Sequence, residues 1–493
     1  MTTKSGGSTS ADLQPVPECP LKYAAGDVIM RSRPWVYSLK VKHILTHCYR
    51  CMEKFPLDMK GNTKGRKCGG CACARYCSRK CQNADWKDRH KLECPVMKRA
   101  TRDRLFDSKS FHGDLLLMYI KIQIKLMKGE LEDGPGDCVP PTNRTFLHLL
   151  SHREKISETE EAIQLRTETF PQWRSLFEVV DPAGQTFRKN DGDEFLLEIF
   201  GKFRINSFGI MSPFKVGHSQ YQVGYGIYLG PSVFDHSCDA NATQFFDRTA
   251  LVIRANRNIS TLHDVRISYV SAWDSIIQRQ AVLEKYCFQC TCALCQDEEI
   301  IAEQSAFKCG TDNCSMALPL NDRGRLPCEQ CGRINDSELQ VAIAVTKALR
   351  EEYERLRREQ PATSFKYLEY LQQLSGLAEK FLHPTNFLLG LFYSLTAPVL
   401  LKLKMKEEAF KCVCKAVLPM RSHLNKYDPA LLSYLTHLAV WSLEFAPLNQ
   451  VDYYANECLT QVEQLCGHDH PNSKELRKLA EHCQIATDMV HSL

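Results

Sequence analysis

No apolar run in this chain of 493 residues is long and uninterrupted enough to cross a bilayer. The best candidate, FLLGLFYSLTAPVLLKLK (387–404), is short for a span, contains Pro398 and ends in lysines, so it reads as a buried core helix. The opening MTTKSGGSTSADLQP lacks an apolar segment, which excludes a secretory signal and leaves a disordered polar leader over 1–17. Glycine is also scarce there: after Gly6 and Gly7 none occurs before Gly26. Neither sign of charge dominates, since 63 Lys and Arg against 58 Asp and Glu leave only +5. Cysteine is the residue in excess, with 24 copies. In a soluble intracellular protein, here expected in cytoplasm and nucleus, thiols stay reduced, so clustered cysteines point to metal, with zinc the default.

The length accommodates two or three domains with substantial cores. Residues 20–45, including GDVIMRSRPWVYSLKV, read as strands after a Gly-Asp turn. Residues 100–200 are mostly helical, with apolar spacing of three to four and a Gly/Pro break at 129–143. Short β-type runs return over 203–275, among them FRINSFGI, YGIYLG, ALVIRANR and DVRISYV. From Ser337 the pattern is amphipathic and helical, with further helices near 364–382, 386–404, 407–421, 428–445, 450–465 and 473–490. FLHPTNF and GHDHPNSKEL each place His-Pro before a candidate N-cap: Thr385 or Asn386, and Asn472 or Ser473. These helices form a paired array only loosely like tetratricopeptide repeats.

Cysteine spacing carries the chemistry. Between 48 and 94, in a polar segment with almost no core of its own, stand Cys48, Cys51, Cys68, Cys71, Cys77, Cys81, His90 and Cys94. Eight such ligands fill two tetrahedral zinc sites, and metal then supplies much of the folding energy. Cys73 is left over as a spectator. CTCALC gives Cys290, Cys292 and Cys295, one short of a closed site, with Cys238 and Cys287 as competing fourth members. Cys287 stands on a strand-like entry, KYCFQC. A last set, Cys309, Cys314, Cys328 and Cys331, has zinc-ribbon spacing.

The stretch 48–94, with YCSRKCQNADWKDRHKLEC, resembles the MYND zinc finger, in which ligand pairs interleave. The resemblance implies one zinc on Cys48, Cys51, Cys77 and Cys81 and another on Cys68, Cys71, His90 and Cys94. A long insert between the first two pairs and one extra residue before His90 depart from the pattern without removing a ligand. Such fingers usually bind peptides, and the basic excess over 60–91 permits DNA phosphate contacts as a minor alternative to a solvated surface. VGYGIYLGPSVFDHSCDANAT followed by NRNISTLHDVRISYVS resembles the core of a SET domain. In the branch combining both modules, the SMYD family, the cysteine of the DHSC segment joins the later CxCxxC on one zinc, which assigns Cys238. The resemblance implies an α+β fold: an N-terminal SET fragment (18–47), the inserted finger (48–94), a helical spacer (95–202), the SET core (203–275), a post-SET zinc region with a possible ribbon (276–336) and the helical array (337–493). Three zinc ions are expected, and a fourth if the ribbon set binds one.

Members of that family are S-adenosylmethionine-dependent protein lysine methyltransferases, acting on histones or other proteins, with a monomer as precedent and no membrane partner. By resemblance, Tyr269 orients the substrate amine, Tyr286 is the second tyrosine of the lysine channel, and Phe288 covers the adenine. His152, Asn206 and His236 match cofactor contacts. The usual Asn of the Asn-His-Ser-Cys segment is Asp235, whose carboxylate can attract the cofactor's ammonium. The place of the family's Gly-x-Gly loop holds DLQPVPECP (12–20), and the Gly-Glu-Glu before the last strand is Leu262-His263-Asp264. A second reading is a silent SET scaffold whose finger and helical array bind protein partners.

Overall fold

A computed structural model of the chain describes residues 23–58, 63–106, 111–180, 192–213, 215–217, 220–358 and 365–491. The leader at 1–17 and the DLQPVPECP segment lie outside the described residues. The architecture mixes sheet and helix. Its core strands are β1 (Val28–Ser32), β2 (Val36–Leu39), β3 (Cys138–Val139), β4 (Ser207–Met211), β5 (Gln222–Ile227), β6 (Asp235–His236), β7 (Ala242–Asp247), β8 (Ala250–Ala255) and β9 (Arg266–Ile267).

One sheet runs β3-β1-β8-β7 and a second runs β2-β5-β4. The ALVIRA sequence of β8 explains its central place, since Leu251, Val252 and Ile253 are buried between β1 and β7. Each such side chain contributes about 1.5–3 kcal/mol by leaving water. The parallel pair β6 and β9 joins two segments that carry candidate site residues. It sets Asp235 opposite Arg266 and His236 opposite Ile267, so FDHSC lies beside RISYV.

The run FRIN at 203–206 is helical, against the strand expected there. Leu196, Leu197, Ile199, Phe200 and Phe203 recur at helical spacing and are buried, and they carry the helix Gly192–Asn206 to the first residue of β4. Period 3.6 prevails over the β-like composition of the last turn. The KYCFQC entry is no strand either. Glu284–Tyr286 is a 3₁₀ turn closed by Cys287 at φ 65°.

Beyond the ribbon, seven helices follow among the described residues: Asp336–Arg358, Phe365–Phe381, Phe387–Lys402, Lys406–His423, Pro429–Phe445, Leu448–Cys466 and Pro471–His491. Asn386 caps the third by accepting from the Leu389 N–H at 3.2 Å. The last helix instead opens on Pro471, so Asn472 and Ser473 lie inside it and Ser473 donates back to the Gly467 carbonyl. The apolar segment after Asn386 is a core helix with Leu391, Phe392 and Val399 buried. No described helix is long and apolar enough to cross a membrane. Trp273, just after the core, packs edge-on to Phe387 at 4.4 Å between centroids and anchors the array.

Candidate functional site

Among the described residues four groups of ligand atoms converge, each within 4.8 Å: Cys48, Cys51, Cys77 and Cys81; Cys68, Cys71, His90 and Cys94; Cys238, Cys290, Cys292 and Cys295; Cys309, Cys314, Cys328 and Cys331. Sulfur–sulfur separations of 3.5 Å for Cys77–Cys81, 3.8 Å for Cys68–Cys94, 3.5 Å for Cys238–Cys295 and 3.7 Å for Cys314–Cys328 are edge lengths of a tetrahedron around zinc. A Zn–S bond of about 2.3 Å requires edges of about 3.8 Å. Thiolate and imidazole donors at this spacing make the protein zinc-binding.

Local sequence builds each seat. Ser78 accepts from the Cys81 N–H at 3.2 Å and starts the helix Arg79–Asp85, aligning Cys77 and Cys81. A Cβ at Gly70 would meet the Cys94 sulfur at 2.7 Å, so CGGC needs its second glycine. His90 turns Nε2 to the Cys68 sulfur at 3.3 Å, while Nδ1 faces Glu93 at 3.5 Å. Burial alone would raise the Glu93 carboxyl. Lys121, 2.8 Å away, and Arg89 hold it well below the usual carboxylate range, so an anion orients the ligand histidine. Cys73 joins no group among the described residues and is pushed up to about 11 by burial.

Cys238, not Cys287, completes the third group. Cys287, turned away by its left-handed backbone, packs against the helical core instead. Beside this group the side chain of Arg279 is fully buried. Its Nη1 donates to the Asp274 carbonyl at 2.7 Å, but Nε and Nη2 have no hydrogen-bond partner among the described residues. Burial raises the Cys238 thiol and the Arg279 charge opposes that rise. A buried cation with orphaned donors is costly unless an anion lies close, and zinc held by four thiolates carries net negative charge. The donor set and its counter-charge fit zinc.

Next to this centre lies a cavity of about 740 Å³. His152, Asn206, Asp235, His236, Tyr269, Tyr286 and Phe288 all line it. Ring centroids stand 5.3 Å apart for Tyr269–Tyr286, 5.3 Å for His236–Tyr269 and 5.9 Å for His236–Phe288, an aromatic wall. The Tyr269 N–H donates to His236 Nδ1 at 3.0 Å. Nδ1 therefore accepts, and the neutral ring carries its proton on Nε2, 3.3 Å from the Cys238 sulfur. Burial lowers His236 to about 4, which keeps the ring neutral. The metal group and the cavity wall thus share one imidazole.

The Tyr269 hydroxyl donates to the Phe234 carbonyl at 2.6 Å, and burial, then Asp235 and Tyr286, push it up to about 12. Asn206, on the last turn of its helix, commits both amide hydrogens, to Leu150 at 2.9 Å and Lys202 at 2.8 Å, and keeps Oδ1 as an acceptor. His152 adopts φ 45° ahead of the helix Arg153–Ser157. Gly201 lets that segment approach, because a Cβ there would meet the Ser151 carbonyl at 2.2 Å. Arg144, Ser232, Gln244 and Arg266 also line the cavity. Sequence reasoning missed them, and Arg279 with them, since none sits in a spaced motif. The volume, aromatic lining and unshared acceptors fit a nucleoside carrying an amino acid.

A second cavity, of about 970 Å³, opens between the core, the Cys238 loop and the array helices. Gln244 and Ser268 line both cavities, and Pro398, Tyr434 and Trp441 wall the second from the array side.

The MYND finger family matches residues 48–94. Histone-lysine N-methyltransferase SMYD3 of Homo sapiens is 29% identical over 276 residues, 56% of this chain and 57% of the relative. Histone-lysine N-methyltransferase ASHR1 of Arabidopsis thaliana is 24% identical over 326 residues, 64% of this chain and 61% of the relative. Histone-lysine N-methyltransferase SMYD1 of Homo sapiens is 24% identical over 296 residues, 56% and 52%. The chain thus spans less than two thirds of the length of these relatives. Finger, relatives and converging cysteine groups point the same way: the chain carries a MYND finger and is similar to the SMYD family of SET- and MYND-domain proteins.

Proposed function

We propose that the protein is an S-adenosylmethionine-dependent protein lysine N-methyltransferase acting on histone or other proteins. The single observation that carries this reading is the aromatic cavity around Tyr269, tied through His236 to the Cys238 metal group. S-adenosylmethionine, when bound, supplies a methyl group on a sulfonium centre. The residues of the chain must deliver a neutral amine to it.

An unperturbed lysine, with a pKa of about 10.4, is charged at neutral pH. A sleeve of Tyr269 and Tyr286 disfavours that charge by excluding water and limits the approach of the amine to one line. Tyr269 donates its hydroxyl hydrogen bond to the Phe234 carbonyl, so its oxygen lone pairs are left to accept from the amine N–H and fix its orientation. Phe288 and His236 offer faces to the adenine, and Asn206 Oδ1 accepts from a bound donor. The 970 Å³ cleft, reaching the same Gln244 and Ser268, seats the peptide carrying the lysine. The zinc groups hold these loops, and the finger adds a peptide-binding module.

Incubating zinc-replete protein with methyl-labelled S-adenosylmethionine and a panel of histones and cell proteins tests the reading. Label on lysine, absent with Tyr269→Phe, is the expected result. A panel that stays unlabelled contradicts it.

A further inference from the structure

We infer that Gln244 is a specificity-determining residue that limits this protein to one methyl group per lysine, its side-chain oxygen holding one N–H of the substrate amine. This rests on the lysine methyltransferase reading and adds to it the degree of methylation, which neither the cysteine groups nor the aromatic wall decides.

Gln244 stands where the two cavities meet, and with Ser268 it lines both. Side chains two apart on a strand share a face, and on β7 Gln244 and Phe246 both line the aromatic cavity. The register with β8, Gln244 opposite Ile253, fixes that face. The amide is held by one end. Its Nε2 donates to the Ser268 carbonyl at 3.3 Å, which decides which terminal atom is the nitrogen. Oε1 is buried and has no hydrogen-bond partner among the described residues. Ser268 does not supply one, because its hydroxyl donates to the Val270 carbonyl at 2.7 Å. A buried carbonyl oxygen left unpaired destabilises the free protein. It is satisfied by a donor that arrives with the substrate.

A lysine reaching from the larger cleft toward Tyr269 passes the residues that the two cavities share, and so this oxygen. A neutral primary amine has a pair of N–H bonds and a lone pair. Tyr269 and Gln244 each offer an acceptor, so both N–H bonds are satisfied and the lone pair is left for the methyl group. Transfer forms the N–C bond, returns the C–S electron pair to sulfur and releases one proton to solvent. The methylated amine, once neutral again, keeps a single N–H. In a second transfer one of the acceptors therefore goes unpaired, and a site that hydrogen-bonds its substrate discriminates against an analogue lacking the donor by about tenfold or more.

Mass spectrometry on a peptide drawn from a protein that the wild type labels tests this. With S-adenosylmethionine in excess, the full-length, zinc-loaded wild type should stop at monomethyl-lysine. The same peptide supplied in its Nε-monomethyl form should show a kcat/KM lower by about tenfold or more. Gln244→Met, of similar length but without the acceptor, should accumulate dimethyl-lysine and close most of that gap. Di- or trimethyl-lysine as the main wild-type product overturns the inference and leaves the methyltransferase reading in place. So does a Gln244→Met enzyme that loses both rates equally and keeps the wild-type product distribution, the mark of a merely structural role. Wild-type protein that labels no lysine overturns the methyltransferase reading itself, and the inference with it.

Discussion

At the residue scale, the proposed chemistry turns on Tyr269. Its hydroxyl donates to a backbone carbonyl and its main-chain N–H fixes the tautomer of His236. Removing the hydroxyl alone, as Tyr269→Phe, should lower methyl transfer by roughly a hundredfold or more, the scale of a lost orienting group. Affinity for S-adenosylhomocysteine should change less than about threefold, because the ring stays in place. Equal losses in turnover and binding, read by steady-state kinetics and calorimetry, would mean a folding role. The phenol is pushed up to about 12, so it keeps its proton across the working range. Turnover should therefore rise with pH as the substrate lysine loses its proton, with no falling limb from this group below about pH 11. A descending limb near pH 9 that vanishes in Tyr269→Phe would contradict that assignment. Arg144, Arg279 and Asn206 show why individual residues are hard to read from sequence. Their meaning lies in partners distant along the chain: Asp235, the Cys238 group and the Leu150 carbonyl.

Among elements, the contrast between local and remote information is plain. The finger's cysteine pairs and the ribbon's two pairs are spaced within a turn or two, so their grouping is visible in the sequence, whereas the interleaving of finger pairs needed a family resemblance. Cys238 lies outside any local pattern, and the β6–β9 pairing with the turn at Glu284–Tyr286 brings it to the CTCALC thiols. The helices were legible by their period, including the core helix after Asn386. The last turn of Gly192–Asn206 was not, because Phe-Arg-Ile-Asn suits either state until Phe203 is seen buried with Phe200. Cys238→Ser should remove one zinc ion from the native mass without disturbing the finger's two. It should also weaken S-adenosylhomocysteine, since His236 loses its sulfur partner. An unchanged zinc count would show that Cys238 is no ligand.

For the whole molecule, the array and the core meet at Trp273, packed on Phe387 and against the array's apolar cluster. Trp273→Ala should destabilise this joint by about 3–5 kcal/mol, as other buried tryptophans do when truncated, measured by chemical denaturation. Cofactor affinity should survive, because none of the described residues lining the 740 Å³ cavity belongs to the array, whereas peptide affinity should fall with the displaced wall of the larger cleft. A loss under about 1 kcal/mol would mean the array is held elsewhere. Architecture at this scale was readable only as an order of modules. The larger cavity arises from packing between segments nearly two hundred residues apart, such as Gln244 and Trp441, which no periodicity encodes. The central claim is that the aromatic cavity beside the Cys238 metal group receives S-adenosylmethionine. Titrating the zinc-loaded full-length protein with S-adenosylmethionine in a calorimeter tests it directly. One site with micromolar affinity, weakened when Cys238 or Phe288 is replaced, is the predicted result, and no heat of binding at high micromolar cofactor would contradict it.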